Sequence, residues 1–182
     1  MEAAHTASRK AQHGVTLIEM CIVCTIAATL VGTALPSYKA TIERRMLEGH
    51  AAELAGDVQY LRSQVVASNR TLRISFRSDT SGSCYVIHSG VAGSCDCSAD
   101  GPAQCTAGAE SFKSVALPAA GPVRLQSNVG SMVFDPVHGT STPAGTLRLI
   151  DRQGRAIHHI VNIMGRLRSC SPGGAVPGYK AC

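Results

Sequence analysis

The chain has 182 residues, a formal net charge of +5, 45% hydrophobic and 4% aromatic residues, and no Trp. That length leaves room for one globular domain of modest size and excludes a string of domains. With so few rings, the core must be built from Val, Ile, Leu and Ala.

A short polar leader with Arg9, Lys10 and His13 ends at Gly14, and an apolar run follows over 15–35. At about 1.5 Å rise per residue a helix of this length crosses a hydrocarbon core of about 30 Å. Within the run Glu19 is the sole charged residue. A carboxylate inside a bilayer span costs about 2.5 to 3.5 kcal/mol on insertion scales, so such residues are usually paired and functional. An ordinary secretory signal places its small-residue cleavage site after the apolar stretch, whereas Gly14 stands before it. Cutting at Gly14 would leave the apolar helix on the mature protein.

These residues resemble a prepilin: a basic leader ending in Gly, a cut, and a hydrophobic helix with Glu as its fifth residue. The resemblance implies cleavage after Gly14 by prepilin peptidase and methylation of the new amino terminus at Val15, where the family's usual residue is Phe. It also makes Glu19 an assembly residue that neutralises the amino terminus of a neighbouring pilin, and Pro36 a helix-kinking proline. The alternative is a plain signal anchor carrying a stray acid.

Beyond Pro36, Leu47, Ala51, Leu54, Val58, Leu61 and Val65 recur at helical spacing, with Glu43, Arg44, Glu48, Glu53, Asp57 and Arg62 on other faces. One long N-terminal helix is expected, bent at Pro36 and ending near Asn69, with its stripe packed on a sheet. The organisation is then a leader over 1–14, a transmembrane segment over 15–35, the second half of the helix over 36–69, and a β domain over 70–182.

From Leu72 the period changes to two. Leu72 to Phe76 and Cys84 to Ile87 read as a hairpin across a turn-rich stretch. Residues 89–110 are rich in Gly, Ser, Ala and Cys and read as a disulfide-held loop. Val123 to Leu125 and Ser131 to Phe134 are short strands, and Thr146 to Ile150 with Ala156 to Met164 forms a second hairpin. Helix first and antiparallel strands after give an α+β domain.

Eight cysteines are present. Cys21 and Cys24 lie in the apolar run, where thiols act as small hydrophobes. Cys84, Cys95, Cys97, Cys105, Cys170 and Cys182 are even in number and lie in the exported part, so three disulfides are expected, with the pairing left open. Cys170 with Cys182 is the favoured pair because the turn-rich residues between them would otherwise form a loose tail. A zinc site at Cys95 and Cys97 with Cys84 or Cys105 is the alternative, but the paired C-x2-C spacing is missing.

The basic character is concentrated at the C-terminal end. From Gly139 onward Arg148, Arg152, Arg155, Arg166, Arg168 and Lys180 face one acid, Asp151. In an extended strand Arg166 and Arg168 point to the same side with Leu167 turned inward, and paired guanidinium forks suit phosphate oxygens. A solvated basic edge strand that discourages aggregation is the alternative.

Phe134-Asp135-Pro136, Gly145-Thr146-Leu147 and Gly165-Arg166-Leu167-Arg168 together resemble the FimT/GspH family of minor pilins and pseudopilins. The resemblance implies the pilin fold, a role in a type IV pilus or a type II secretion pseudopilus, other pilins as partners, and residence in the inner membrane with the domain in the periplasm. It also implies, as a second function, DNA binding for natural transformation through Arg166 and Arg168. If DNA is bound, the local charge lets Arg152, Arg155 and Lys180 extend the patch, and with Tyr179 the one ring nearby, backbone tracking along double-stranded DNA is expected over stacking on single-stranded bases. No cofactor is expected. Catalysis finds no motif: His158 and His159 are adjacent in a strand and face opposite ways, and no nucleophile elbow, phosphate loop or i, i+4 His pair occurs.

Overall fold

In the computed structural model residues 14–182 are described, without the side chains of residues 33–37. The leader over 1–13, and the bend expected at Pro36 in so far as it concerns that side chain, lie outside the described residues. The chain divides into two compact units, one ending at Ala40 and one spanning Thr41–Cys182.

In the first unit the helix α1 (Leu17–Ser68) begins with Thr16 as its cap, the Thr16 hydroxyl accepting from the Glu19 amide at 3.4 Å. Its apolar side chains point outward all round: Val15, Leu17, Ile18, Met20, Ile22, Val23, Ile26, Leu30 and Val31 are all more than half exposed. The hydroxyls of Thr25 and Thr29 donate to carbonyls one turn back, at Cys21 and Ile26. Such back-bonding leaves a threonine with little need for water. A helix apolar on every face requires a nonaqueous surrounding.

In the second unit the predicted stripe is the core. Leu47, Ala51, Leu54, Val58, Leu61 and Val65 are each at most 1% exposed. The helix stops where expected: Asn69 takes φ 49°, and the Arg70 amide donates to the Val65 carbonyl at 3.3 Å, the cross-turn bond of a left-handed helix terminus.

The strands are β1 (Leu72–Ser78), β2 (Gly82–His88), β3 (Cys95–Asp96), β4 (Gln104–Cys105), β5 (Ser111–Pro118), β6 (Val123–Ser127), β7 (Ser131–Phe134), β8 (Ser141–Thr142), β9 (Gly145–Asp151), β10 (Ala156–Val161) and β11 (Leu167–Cys170). They form two antiparallel sheets, ordered β5-β2-β1-β7-β8 and β11-β10-β9-β6, and a small β3-β4 ribbon. Both expected hairpins are present. The single expected sheet is instead two, because β6 and β7, adjacent in sequence, enter different sheets.

Every residue of β2 is buried. Tyr85 and Ile87 face the main core, while Cys84 and Val86 join a second cluster with Cys95 and Cys97. The 89–110 segment therefore serves as a lid on the far side of the first sheet. Disulfides Cys84–Cys97 and Cys95–Cys105 hold it down, and Cys170–Cys182 closes the tail, the favoured pair.

Polar groups tie the helix to each sheet. Asp57 accepts from the Tyr85 hydroxyl at 2.6 Å and from Lys113 Nζ at 2.8 Å, and Glu53 accepts from the same ammonium at 3.0 Å. Burial, reinforced by Asp57, pushes the Tyr85 hydroxyl far above its ordinary range, so it remains a donor. On the other sheet His159 Nε2 lies 2.8 Å from the Ala51 carbonyl and Nδ1 lies 2.8 Å from Ser169 Oγ. Because a carbonyl only accepts, the proton sits on Nε2 and Nδ1 accepts from the serine.

Burial holds His159 below its ordinary value, partly opposed by the Ala51 bond and aided by the charge of His158. The unfolded chain therefore takes up a proton that the folded chain resists. Stability from this site is full above about pH 6.5 and declines as pH falls toward the lowered folded value. Urea midpoints measured between pH 7.5 and 5.5 should fall for the native chain and fall less for His159→Gln; equal slopes would remove His159 as a titrating group. Removing both Cys170 and Cys182 by substitution with Ala should cost about 3 kcal/mol, given a separation of 12 residues.

Candidate functional site

Two places carry chemistry. The first is the start of α1. Gly14 and Val15 precede the helix, and Glu19 is the third residue after the Thr16 cap, where the helix dipole favours an anion. Glu19 is exposed, and among the described residues no cation pairs with its carboxylate. Among the described residues no helix is both long and apolar enough to cross a membrane. The apolar run with described side chains stops at Gly32, short of the 15–35 span expected from sequence.

The second place is a groove of 780 Å³ between the last turns of α1 and the start of β11, lined by Arg62 and Val66 from the helix and by Arg166, Leu167 and Arg168. Asn162 builds the turn that delivers them. Its carbonyl accepts from the Gly165 amide at 2.9 Å, its side-chain oxygen accepts from the Arg166 amide at 2.9 Å, and its own amide donates to the Arg166 carbonyl at 3.1 Å. Gly165 has φ 67°, and a Cβ there would collide with the Gly139 carbonyl oxygen. Arg62 Nε donates to that same carbonyl at 3.1 Å. The glycine is thus demanded twice, by its backbone angle and by the loop pressed against it.

Arg166 and Arg168 are exposed and Leu167 is half-buried against the main core. Among the described residues neither guanidinium is in an ion pair. The structure brings this pair together on one groove, with Arg166 just ahead of β11 and Arg168 within it. Arg62, more than a hundred positions upstream in sequence, joins them and carried no local signal.

The wider patch does not form around that groove. Arg152 and Arg155 sit in the β9–β10 turn, and Arg166 lies beyond the opposite end of β10, about 23 Å away at strand rise. Arg155 Nε lies 2.6 Å from Asp151 Oδ2, whose side chain is fully buried, so this arginine stabilises the turn. Arg152 Nε donates to the Gly121 carbonyl at 3.2 Å, and its other nitrogen to Ala120. Lys180 is exposed on the tail, where its carbonyl accepts from the Ser171 amide, and does not line the groove. His158 and His159 face opposite ways, His159 inward. Among the described residues no three His, Cys, Asp or Glu side chains gather as a metal site.

Residues 50–165 match the family model described as type II transport protein GspH. The chain belongs to the GspH family. Its fold is similar to that of the type IV minor pilin FimU of Pseudomonas aeruginosa, at 20% identity over 71% of this chain and 95% of that one, with a TM-score of 0.51. The minor pseudopilin EpsH from the type 2 secretion system of Vibrio cholerae is also similar, at 15% identity over 69% and 97%, with a TM-score of 0.49. None of the curated proteins matches the chain. The GspH match ends at Gly165, so Glu19 lies outside it at one end and Arg166 and Arg168 lie outside it at the other. Membership of the GspH family makes the chain a minor pilin or pseudopilin, and those three residues have to be argued from their own chemistry.

Two open guanidinium groups beside a third suit an anion with several oxygens. Gly165→Ala should destabilise the domain by about 1 to 3 kcal/mol, read as a lowered thermal midpoint, since the Cβ must displace the 139 loop that Arg62 holds.

Proposed function

We propose that this chain is a membrane-anchored minor subunit of a type IV pilus or a type II secretion pseudopilus, cut by prepilin peptidase after Gly14 and assembled through its N-terminal helix. The observation that carries this reading is the helix surface from Val15 to Val31, exposed and apolar all round, with Glu19 as its one charge. In the inner membrane lipid covers that surface, with the domain in the periplasm; in the filament, the helices of other pilins replace the lipid. Glu19 meets the free amino terminus that cleavage creates on a neighbour. A pair at about 4 Å gains about 4 kcal/mol at an effective dielectric near 20. That is enough to offset the insertion cost of about 3 kcal/mol for a lone carboxylate.

Glu19→Ala should leave membrane insertion intact and exclude the subunit from sheared filaments, seen by immunoblot of membrane and filament fractions. Normal incorporation would count against the pairing. Intact mass of the membrane-extracted chain should begin at Val15; a retained leader would end the filament reading.

A second function is supported by the groove: Arg166 and Arg168, in no ion pair among the described residues, form a cationic fork suited to the phosphates of double-stranded DNA. The GspH-family subunit would then act as a DNA receptor displayed on its filament. Changing both residues to Gln should abolish retention of a labelled duplex by the detergent-solubilised full chain while its circular dichroism stays unchanged. Undiminished retention leaves the structural role alone.

A further inference from the structure

The outer face of the second sheet holds cations that the C-terminal motif does not take in. On β6, β9 and β10, Val123, Leu125, Leu147, Leu149, Ile157 and Val161 are buried. By alternation Arg124, Arg148, His158 and Ile160 face outward, and Arg168, paired with Ile160, faces out with them. Arg124, Arg148 and Arg168 are all exposed.

Register fixes where they stand. Arg124 lies beside Ile150 and Gln126 beside Arg148. Arg148 lies beside His158 and Thr146 beside Ile160. His158 lies beside Cys170 and Ile160 beside Arg168. Moving from β6 to β9 shifts the cation by about two residues along the strand, and moving from β9 across β10 to β11 shifts it by about two more in the same sense. Arg166 extends the line by another two. The row is a diagonal of roughly 25 Å from Arg124 to Arg166, using about 3.3 Å per residue and about 4.8 Å per strand. At its far corner Arg152 lines the same hollow as Arg124. The two basic spots that the β10 strand separates are therefore joined by Arg148 and Arg124.

Among the described residues the face carries no opposing charge. Asp151 is the one acid in β6, β9, β10 and β11, and it is buried and held by Arg155. The other acids of the domain lie on α1, in the β1–β2 turn, in the 89–110 lid and in the 135–139 loop. Burial, with Arg148 adding to it, keeps His158 below its ordinary value, so near neutral pH the charge of the row comes from arginine. Those four strands also hold no Phe, Tyr or Trp.

We infer that this diagonal is a phosphate track for duplex DNA, with Arg124 and Arg148 continuing the contact that Arg166 and Arg168 begin. It rests on the DNA reading of the groove. Each strand of a duplex offers one charge about every 3.4 Å along the axis, so roughly 25 Å of track faces about seven phosphates of one strand. Without rings to stack on, unpaired bases have no platform, which favours the duplex over single strands.

The test compares the detergent-solubilised full chain with Arg124→Gln/Arg148→Gln and with Arg166→Gln/Arg168→Gln, titrated into a fluorescein-labelled 30-base-pair duplex across a salt series. The track requires that Arg124→Gln/Arg148→Gln weaken binding equally for unrelated sequences and lower the salt slope by about two. If that variant binds with native affinity and slope while Arg166→Gln/Arg168→Gln fails, the track is wrong and the groove reading stands. If neither variant differs from the native chain, both fall. Arginine-dependent binding to phosphatidylglycerol vesicles without any binding of the duplex would overturn the track in favour of an anionic bilayer.

Discussion

The domain depends on one stripe of small and branched side chains on the second half of α1. Leu47, Ala51, Leu54, Val58, Leu61 and Val65 are all closed to solvent, and both sheets contribute to the cluster around them: Ile74, Ile87 and Phe134 from one, Leu125, Leu149 and Ile157 from the other. Ala51 matters by being small, since its carbonyl can then be reached by the His159 ring. Full burial of a Leu or Val contributes about 1.5 to 3 kcal/mol each, so the stripe outweighs any single polar link. The polar links orient the pieces: Asp57 and Glu53 fix the first sheet through Tyr85 and Lys113, and His159 fixes the second.

That economy leaves the far side of the first sheet uncovered, and the cysteines answer this. A lid built from Gly, Ser, Ala and Cys has little apolar area with which to hold itself down. Two disulfides replace the missing hydrophobic grip, and their sulfurs form much of the second cluster with Val86. The same logic applies to the tail, where Ser171, Val176 and the Cys170–Cys182 bridge fasten a segment of turns.

What could be read in the sequence was what local periodicity encodes. The stripe, the helix end at Asn69, both hairpins, the lid and the terminal disulfide all follow from patterns within a few residues of one another. The strand β5 escaped because it is an edge: of its eight residues only Leu117 is buried, so no clean alternation was written into it. The division into two sheets escaped because partner choice is nonlocal; β6 and β7 look alike and differ only in what they pair with. The site divides in the same way. Arg166 and Arg168 were visible because they sit two apart in sequence where β11 begins, whereas Arg62 and Arg124 acquire meaning only when distant segments are brought beside them.

Charge follows the same division between local pattern and assembled surface. Counted along the sequence, Arg152, Arg155, Arg166 and Arg168 form one basic cluster. Folded, Arg155 is occupied by Asp151, and the hairpin sends Arg152 to one end of β10 and the other two to the opposite end. A cluster in sequence would have made a point of attraction; what folding produces is a line, because a sheet spaces its outward residues at fixed intervals along and across its strands. A line of fixed arginines is complementary to a rod with regularly spaced charge and poorly complementary to a compact anion. On the proposed DNA reading the paired guanidinium groups at the groove would hold a phosphate, and it is the register of β6, β9, β10 and β11 that would decide whether the thing bound is long.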